Sequence, residues 1–423
     1  MTISQPAGAP RGAPWRRAQA GSSACADSAR GRRRVRHQPH GSCAPAAQGH
    51  AGLYVHVPFC LSKCPYCAFS STVDRSRAGD WLTAIGDEAR HHARSFRSFD
   101  SLYVGGGTPS CLGAEALTRL LGTLRASFEL PPGAELTVEV NPGDASPALL
   151  RRLRELGVTR LSLGVQSLDD RVLRVLGRRH DAAQALASFR SARDAGFATI
   201  GVDLIYGVPG QSRASWRQTL ERVVGLGPEH LSCYMLTREA GTPLDEAVTA
   251  GRLRACSEEV LARRFRETSA LLRSAGYAHY EVSNFARGPE HRSRHNGKYW
   301  RHVPYLGLGP AAHSFSGRER WWNLSSLDEY LAALAAGHAP VGGRETLDAA
   351  ALELEALALG LRTAEGIPSV LVRHAMPELD GLRARGWLCR REERWAPTPE
   401  GLLFADRMAL ELSLARDRAG GLA

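Results

Sequence analysis

Apolar and polar positions alternate in blocks along the chain from Gly52 onward. Short runs rich in branched and aromatic residues are followed by a loop and then by a segment with apolar residues every three or four positions. Six such strand–helix repeats predict a parallel sheet with crossover helices. The predicted strands are 53–59, 101–107, 136–142, 160–167, 199–207 and 230–236, and the predicted helices are 79–94, 114–127, 146–156, 181–195, 213–226 and 257–275.

This repeat predicts an α/β fold, an open barrel of six strands in a partial TIM-like (β/α)6 arrangement over residues 51–275. Residues 276–345 are less regular and rich in aromatic residues, His and Gly, and we expect them to close the barrel. The pattern of residues 346–423 predicts a mostly helical, winged-helix-like domain with a β-hairpin. Because no helix in it is notably basic, packing or partner docking is favoured over DNA binding.

The first fifty residues differ from the rest in composition. They are rich in Gly, Ala, Pro, Ser and Arg without apolar periodicity, which predicts a disordered basic tail. Eight arginines and one acidic residue, Asp27, give this tail +7 of the net charge of +11 and leave only +4 for the remainder. The folded part is therefore not strongly basic, and we expect no nucleic-acid partner.

No apolar stretch approaches the roughly 18 residues that a membrane-spanning helix requires. No secretory signal precedes the tail, and six of the nine cysteines are dispersed without a disulfide framework. These features predict a cytoplasmic protein in a reducing compartment.

The remaining cysteines, Cys60, Cys64 and Cys67, follow the first predicted strand with the spacing C-x3-C-x2-C. Three thiolates can hold three irons of a cubane cluster and leave the fourth iron open to a small molecule, whereas ferredoxin-type spacings supply four thiolates. Two alternatives are three ordinary cysteines in a turn and a structural zinc site with His56 as the fourth ligand.

Polar or glycine residues recur where successive predicted strands end, at the edge where parallel sheets place their ligand sites. Glycines at such a point let the backbone approach a ligand, and an arginine offers a forked grip on a carboxylate. Their recurrence predicts one shared pocket. The residues concerned are Gly106, Gly107 and Thr108 in GGGTP, Glu139 in VEVNP, Gln166 in GVQS, Arg178 in LGRRHD and Asp203 in GVDLIYG.

The cysteine spacing resembles that of radical S-adenosylmethionine (SAM) proteins. From Tyr54 to about Leu410 the chain resembles the oxygen-independent coproporphyrinogen III dehydrogenase family, in YVHVPFCLSKCPYC, YVGGGTPS, VEVNP, LGVQS, DLIYGVPGQ and YLGLGPAAHS. The resemblance implies a [4Fe–4S] cluster on the three cysteines, with SAM on its open iron. The predicted SAM-binding residues are Gly106, Gly107, Thr108, Glu139, Gln166, Arg178, Asp203 and His313, and Tyr54, Tyr66 and Thr237 are added only because they border the cysteine loop or end the sixth strand.

Two features favour the HemW branch of this family. The dehydrogenase branch carries a fourth cysteine two residues after the third, where this chain has Phe69, which we expect to pack near the cluster or the adenine. HNGKYW (295–300) resembles the H-N-x-x-Y-W motif linked with haem binding. The implied haem-binding residues are His295, Asn296, Tyr299 and Trp300, with Arg294 and Arg301 near the propionates and with His291, His302 and His313 as alternative ligands.

The resemblance therefore implies a haem chaperone that binds a cluster, SAM and haem and passes haem to acceptor proteins, membrane respiratory proteins among them. No residue is assigned a catalytic role, and an active oxidase is not expected. The alternative within the family is an anaerobic coproporphyrinogen III dehydrogenase of haem biosynthesis. A metal- or nucleic-acid-binding protein that uses the basic tail is a third reading. The oligomeric state stays open between monomer and dimer.

Overall fold

Six parallel strands, each hydrogen-bonded to the next in chain order, form the centre of the molecule. The structure, a computed structural model, describes residues 50–420, so the basic tail predicted for residues 1–50 lies almost wholly outside it. All six strands overlap the predicted ones, which confirms the α/β barrel. They are β1 (Ala51–Val57), β2 (Phe99–Gly106), β3 (Glu135–Val140), β4 (Arg160–Gln166), β5 (Thr199–Tyr206) and β6 (His230–Met235).

Amphipathic helices follow these strands and bury their leucine-rich faces against the outside of the sheet. At the start of the third helix, Ser146 Oγ accepts a hydrogen bond from the Leu149 amide at 3.2 Å. The buried face of this helix consists of Leu149, Leu150 and Leu153. Two helices of six and seven residues were not predicted, because two turns hold too few positions to show a period. The helices are α1 (Ala78–His92), α2 (Gly113–Ser127), α3 (Pro147–Glu155), α4 (Asp170–Val175), α5 (Ala182–Asp194), α6 (Arg213–Leu226), α7 (Pro243–Thr249) and α8 (Glu258–Ser274).

The segment predicted to be irregular extends the sheet on both sides, so that the sheet has twelve strands. Two strands continue it beyond β6, and four continue it beyond β1. These strands were not predicted, because most have only three to five residues, too few to show a period, and lie between glycine- and proline-containing turns. The elements are β7 (Ala278–Glu281), β8 (Asn284–Ala286), α9 (Arg294–Trp300), β9 (Tyr305–Leu308), β10 (His313–Phe315), β11 (Glu319–Asn323), α10 (Leu327–Ala335) and β12 (Val341–Thr346).

The C-terminal part has its own hydrophobic cluster, built around Leu357, Trp395 and Met408. As predicted, it combines helices with a β-hairpin, and a two-residue strand joins the hairpin in a three-stranded sheet. The division at residues 275 and 345 stays a prediction. The elements are α11 (Ala349–Gly360), β13 (Ile367–Pro368), α12 (Met376–Ala384), β14 (Leu388–Arg391), β15 (Arg394–Pro397) and α13 (Ala405–Gly420).

Side chains alternate between the two faces of each barrel strand. Leu53 and Val55 of β1, for example, belong to the apolar core under the helices, whereas the alternating residues Tyr54 and His56 do not. The same alternation puts Ser162 of β4 and Asp203 of β5 on the inner face, where they share a hydrogen bond. The barrel interior is therefore polar and aromatic.

A buried carboxylate joins α1 to the strands that extend the sheet. Glu88 is fully buried and accepts hydrogen bonds from the Gly309 amide (2.8 Å), Asn323 Nδ2 (2.5 Å) and the Tyr330 hydroxyl (2.6 Å). Burial raises the pKa of Glu88 to about 7, against the opposing influence of the three donors. This carboxyl group fixes the turn that leads from β9 to β10.

Candidate functional site

The three motif cysteines lie in the loop between β1 and α1. The loop is closed by paired backbone bonds, from the Cys60 amide to the Thr72 carbonyl (2.9 Å) and from the Thr72 amide to the Pro58 carbonyl (2.7 Å). A tight turn between Cys64 and Cys67 is held by the bond from the Cys67 amide to the Cys64 carbonyl at 3.1 Å. All three thiols are partly exposed and face one pocket.

Donors surround the thiols. Burial raises the pKa of the Cys60 and Cys67 thiols, which favours their protonated form. Thr108 Oγ1 lies 3.5 Å from Cys60 Sγ, and Arg178 Nη1 lies 3.4 Å from Cys64 Sγ. A hydroxyl and a guanidinium donating to sulfur stabilise thiolates, the form that ligates iron.

The arrangement suits a cluster better than a single ion. Within residues 50–420, no three His, Cys, Asp or Glu side chains converge as ligands of one metal ion would. A cubane takes one thiolate at each of three separate irons, so its ligands need not converge on one point. His56 does not complete a zinc site with the cysteines, because its ring nitrogens face the Tyr54 hydroxyl (3.0 Å) and the Ser70 carbonyl (2.8 Å).

The pocket beside the cysteines encloses about 1100 Å³ of space, including its open mouth. It lies at the carboxyl ends of the barrel strands, where parallel α/β folds place their ligands. The structure brings most of the predicted SAM-binding residues into its lining, together with Phe69. These residues are Tyr66, Gly106, Gly107, Thr108, Glu139, Gln166, Arg178 and Asp203.

Three side chains of this lining carry buried polar atoms without a hydrogen-bond partner in the described part of the chain, namely Gln166 Oε1, Arg178 Nε and Asp203 Oδ1. Buried polar groups are nearly always paired, so three unpaired polar groups around one pocket are consistent with a polar ligand there. Gln166 also adopts a φ of 63°, which is uncommon for a residue other than glycine and which strains the backbone at the pocket wall. Burial raises the pKa of Asp203. SAM, which has amine, carboxylate and hydroxyl groups, fits this donor and acceptor set.

The glycines at the end of β2 are required by close packing against the cysteine loop. Gly106 has a φ of +107°, and a Cβ there would lie 2.6 Å from His56 Nδ1. A Cβ on Gly107 would lie 2.6 Å from the Phe59 carbonyl oxygen. The backbone of this turn instead bonds to the cysteine loop, from the Gly107 amide to Val57 and from the Thr108 amide to Phe59, both at 2.7 Å.

Replacing Gly106 with alanine is expected to weaken SAM binding more than about tenfold, because the strained backbone and the displaced His56 ring deform the pocket wall. Anaerobic calorimetry on protein with a reconstituted cluster measures this affinity. Gly122→Ala, in the interior of α2 with open space around its Cβ position, is the control. Equal SAM affinity in Gly106→Ala and Gly122→Ala would contradict the prediction.

Three of the residues predicted to bind SAM do not line this pocket. The Tyr54 ring is buried inside the barrel with its hydroxyl at His56. Thr237 is exposed beyond the end of β6. His313, on β10, stacks on Trp322 with ring centroids 5.8 Å apart, and burial lowers its pKa to about 4.

Other lining residues were not predicted. Ser162 could have been found from the period-two pattern, because it lies between Leu161 and Leu163 of the apolar core. Tyr234 follows the same pattern on β6, where Leu231 and Cys233 belong to the core, whereas Asn141 carries no comparable signal.

The HNGKYW residues form α9, which closes the opposite end of the barrel. The Glu135 carboxylate at the start of β3 accepts the backbone amides of Arg294 (3.0 Å) and His295 (2.9 Å), as suits a helix N-terminus. Lys298 Nζ lies 2.5 Å from Asp100 Oδ1 and donates to the His50 carbonyl at 2.6 Å. The motif is thus anchored to the amino ends of β1, β2 and β3, away from the cysteines.

His295 is fully buried in this arrangement. Its Nδ1 lies 3.1 Å from Ser101 Oγ, and its Nε2 lies 2.8 Å from the Tyr299 hydroxyl. Burial lowers the pKa of His295 to about 3, so the imidazole is neutral at physiological pH. Tyr299 and Trp300 are also buried and pack edge-on against Tyr305 and Tyr280 respectively, while Asn296 Oδ1 is buried without a partner within residues 50–420.

Comparison with known proteins agrees with this geometry. The family model described as "Radical SAM superfamily" matches residues 54–223. A protein of Mycobacterium tuberculosis (strain ATCC 25618 / H37Rv) named "Heme chaperone HemW" is 39% identical, and the match covers 85% of this chain and 94% of that protein. The chain belongs to the HemW family of radical SAM proteins.

Proteins similar to this chain also occur in animals. The mouse protein named "Radical S-adenosyl methionine domain-containing protein 1, mitochondrial" is 36% identical over 87% of this chain and 85% of its own length. The solved structure of coproporphyrinogen III oxidase (HemN) from Escherichia coli superposes with a TM-score of 0.76 at 25% identity, over 86% of this chain and 90% of that one. The HemN-like fold predicted from the sequence is therefore confirmed. Among residues 50–420, none of the helices has the length and apolar character to cross a bilayer.

Proposed function

We propose that this protein is a haem chaperone of the radical SAM type, which binds one [4Fe–4S] cluster, SAM and haem and passes haem to acceptor proteins in the cytoplasm or at the membrane. The observation that carries the proposal is Phe69, which lines the cysteine pocket at the position where the resemblance places a fourth cysteine in the oxidase branch. Relatives named "Heme chaperone HemW" support it.

The pocket residues have separate roles in this proposal. Cys60, Cys64 and Cys67 hold the cluster, and the Arg178 guanidinium is available both to the Cys64 thiolate and to the carboxylate of SAM. Asp203 and Gln166 supply acceptors for the hydroxyl and amine groups of the ligand. When both are bound, the reduced cluster supplies one-electron cleavage of a sulfonium bond, and the protein orients the reactants.

Haem is proposed to bind at the HNGKYW segment through His295, Asn296, Tyr299 and Trp300. A neutral imidazole is a suitable axial ligand. Coordination through Nε2 requires that the hydrogen bond between His295 Nε2 and the Tyr299 hydroxyl breaks and that α9 moves away from the barrel. Haem binding is therefore expected to be slow relative to diffusion, because buried contacts open first.

The test is an anaerobic haem titration of cluster-containing protein, followed in the Soret band. The wild type is expected to bind haem stoichiometrically, and His295→Ala to bind it more than about tenfold more weakly, as expected when an iron ligand is lost. His302→Ala tests the half-buried alternative ligand, and His338→Ala, an exposed histidine in the turn after α10, is the matched control.

The same sample is given coproporphyrinogen III, SAM and a reductant. Absence of decarboxylated product together with haem binding supports the chaperone proposal. Turnover to protoporphyrinogen without tight haem binding would overturn it in favour of a dehydrogenase. That activity is the second candidate because the chain shares its fold with HemN.

A further inference from the structure

A column of aromatic side chains runs through the barrel interior from α9 toward the cysteine pocket. The rings of Tyr54 on β1 and Tyr103 on β2 lie with their centroids 6.3 Å apart. Both contact the His295 ring, at centroid distances of 6.4 Å for Tyr54 and 5.4 Å for Tyr103. Together with Ala312 the two tyrosines form a small buried cluster separate from the main apolar core. Both tyrosine rings therefore pack against the His295 ring.

The hydroxyls at the other end of the column bond to side chains at or next to the pocket wall. The Tyr103 hydroxyl donates to Glu139 Oε1 at 2.8 Å, and Glu139 lines the pocket. The Tyr54 hydroxyl bonds to His56 Nδ1, and His56 Nε2 bonds to the Ser70 carbonyl in the cysteine loop. Because a carbonyl only accepts, His56 Nε2 carries the proton and Nδ1 accepts from Tyr54. Both paths therefore have a fixed direction of donation.

We propose that His295 is a positioning residue for the SAM pocket, which holds the rings of Tyr54 and Tyr103 so that their hydroxyls fix Glu139 and the cysteine loop. The proposal rests on the proposed function only in requiring that the pocket binds SAM, and it does not require haem. Protein interiors are packed too densely to absorb the loss of a ring without movement. Truncating His295 leaves a void under both tyrosines, and their collapse into it withdraws the hydroxyls from Glu139 and His56.

Haem coordination and ring support make different demands on residue 295. An axial ligand needs the imidazole nitrogen, whereas support of the tyrosines needs a planar ring of similar size. His295→Phe keeps the ring and removes the nitrogens, so it separates the two roles. It leaves Ser101 Oγ and the Tyr299 hydroxyl without their histidine partner, which costs stability but does not empty the space under the tyrosines.

The experiment measures SAM affinity without haem, on anaerobically reconstituted protein, together with the electron paramagnetic resonance spectrum of the reduced cluster before and after SAM is added. His295→Ala is expected to bind SAM about tenfold more weakly and to show a diminished spectral change. His295→Phe is expected to restore both to within about threefold of the wild type, while haem binding stays lost. Exposed His338→Ala is the control.

Tyr103→Phe keeps the proposal testable if His295→Ala folds poorly. It removes only the hydroxyl that donates to Glu139 and is likewise expected to weaken SAM binding. Wild-type SAM affinity in a cluster-loaded His295→Ala or in Tyr103→Phe would overturn the inference, and so would a His295→Phe protein as impaired as His295→Ala. Failure of the wild type itself to bind SAM would refute the proposed function instead.

Discussion

Cys64→Ser is expected to lower the iron content of anaerobically reconstituted protein from about four atoms per chain to well below one. Serine does not ionise at neutral pH and offers no thiolate, so only two of the three anchoring ligands remain. The substitution also removes the sulfur acceptor of the Arg178 guanidinium, which keeps its hydrogen bond to the Gly164 carbonyl at 3.0 Å. Iron and sulfide analysis, with the visible absorbance of the cluster, measures the effect.

Cys389→Ser is the matched control for this experiment. Its thiol lies in β14 of the C-terminal domain, 3.5 Å from the Ala396 carbonyl, and does not line the pocket. Full iron content in Cys389→Ser alongside its loss in Cys64→Ser ties the cluster to the motif. Full iron content in both variants would contradict the prediction.

The free energy of unfolding is expected to fall steeply as the pH drops from about 6.5 toward 5. Burial lowers the pKa of His56 to about 4 and of His295 to about 3, and both side chains are fully buried. In the unfolded chain these histidines take up protons below about pH 6.5, whereas in the folded protein they stay neutral, so acid favours unfolding. Each of the two contributes a loss of about 2 kcal/mol at pH 5. His92, His180, His230, His279 and His313 have pKa values lowered by burial and act in the same direction.

Glu88 opposes this trend. Its pKa of about 7 lies above that of an unfolded glutamate, so the folded protein holds a proton that the unfolded chain releases, and this group stabilises the fold as the pH falls from 7 toward 4.5. Asp203, whose pKa is also raised by burial, acts in the same direction. Urea midpoints at pH 7.5 and pH 5.0 measure the net effect. We expect a lower midpoint at pH 5.0, a steeper loss in Glu88→Gln, which lacks the opposing proton, and a shallower loss in His295→Phe. A midpoint that stays constant or rises at pH 5.0 would contradict the prediction.

Strand and helix periods predict the barrel well, because each period reports a face that the main core buries. The same periods fail for β9 to β11, whose short strands are held by contacts distant in sequence, such as Asn323 with Glu88. Residues that end a strand and alternate with core positions do line the pocket, as Glu139 and Asp203 show, and their binding of SAM stays a prediction. Thr237 lies outside the lining, because a position after a strand does not reveal where the chain leaves the barrel.

The HNGKYW segment shows a different limit. Its residue types suit a surface that meets a flat macrocycle, yet the same types also suit a helix buried against tyrosines. Sequence gives the chemistry of His295 and not its burial, because burial depends on Glu135 and Asp100, which lie more than a hundred residues earlier.

The helix α9 across the amino ends of β1, β2 and β3 sets an order of loading. With that end of the barrel filled, the pocket mouth is the route by which iron, sulfide and, on the proposed function, SAM are expected to enter. A ligand on the open iron would then lie between the cluster and solvent. We therefore expect the cluster to assemble before SAM binds, and bound SAM to retard the loss of iron in air.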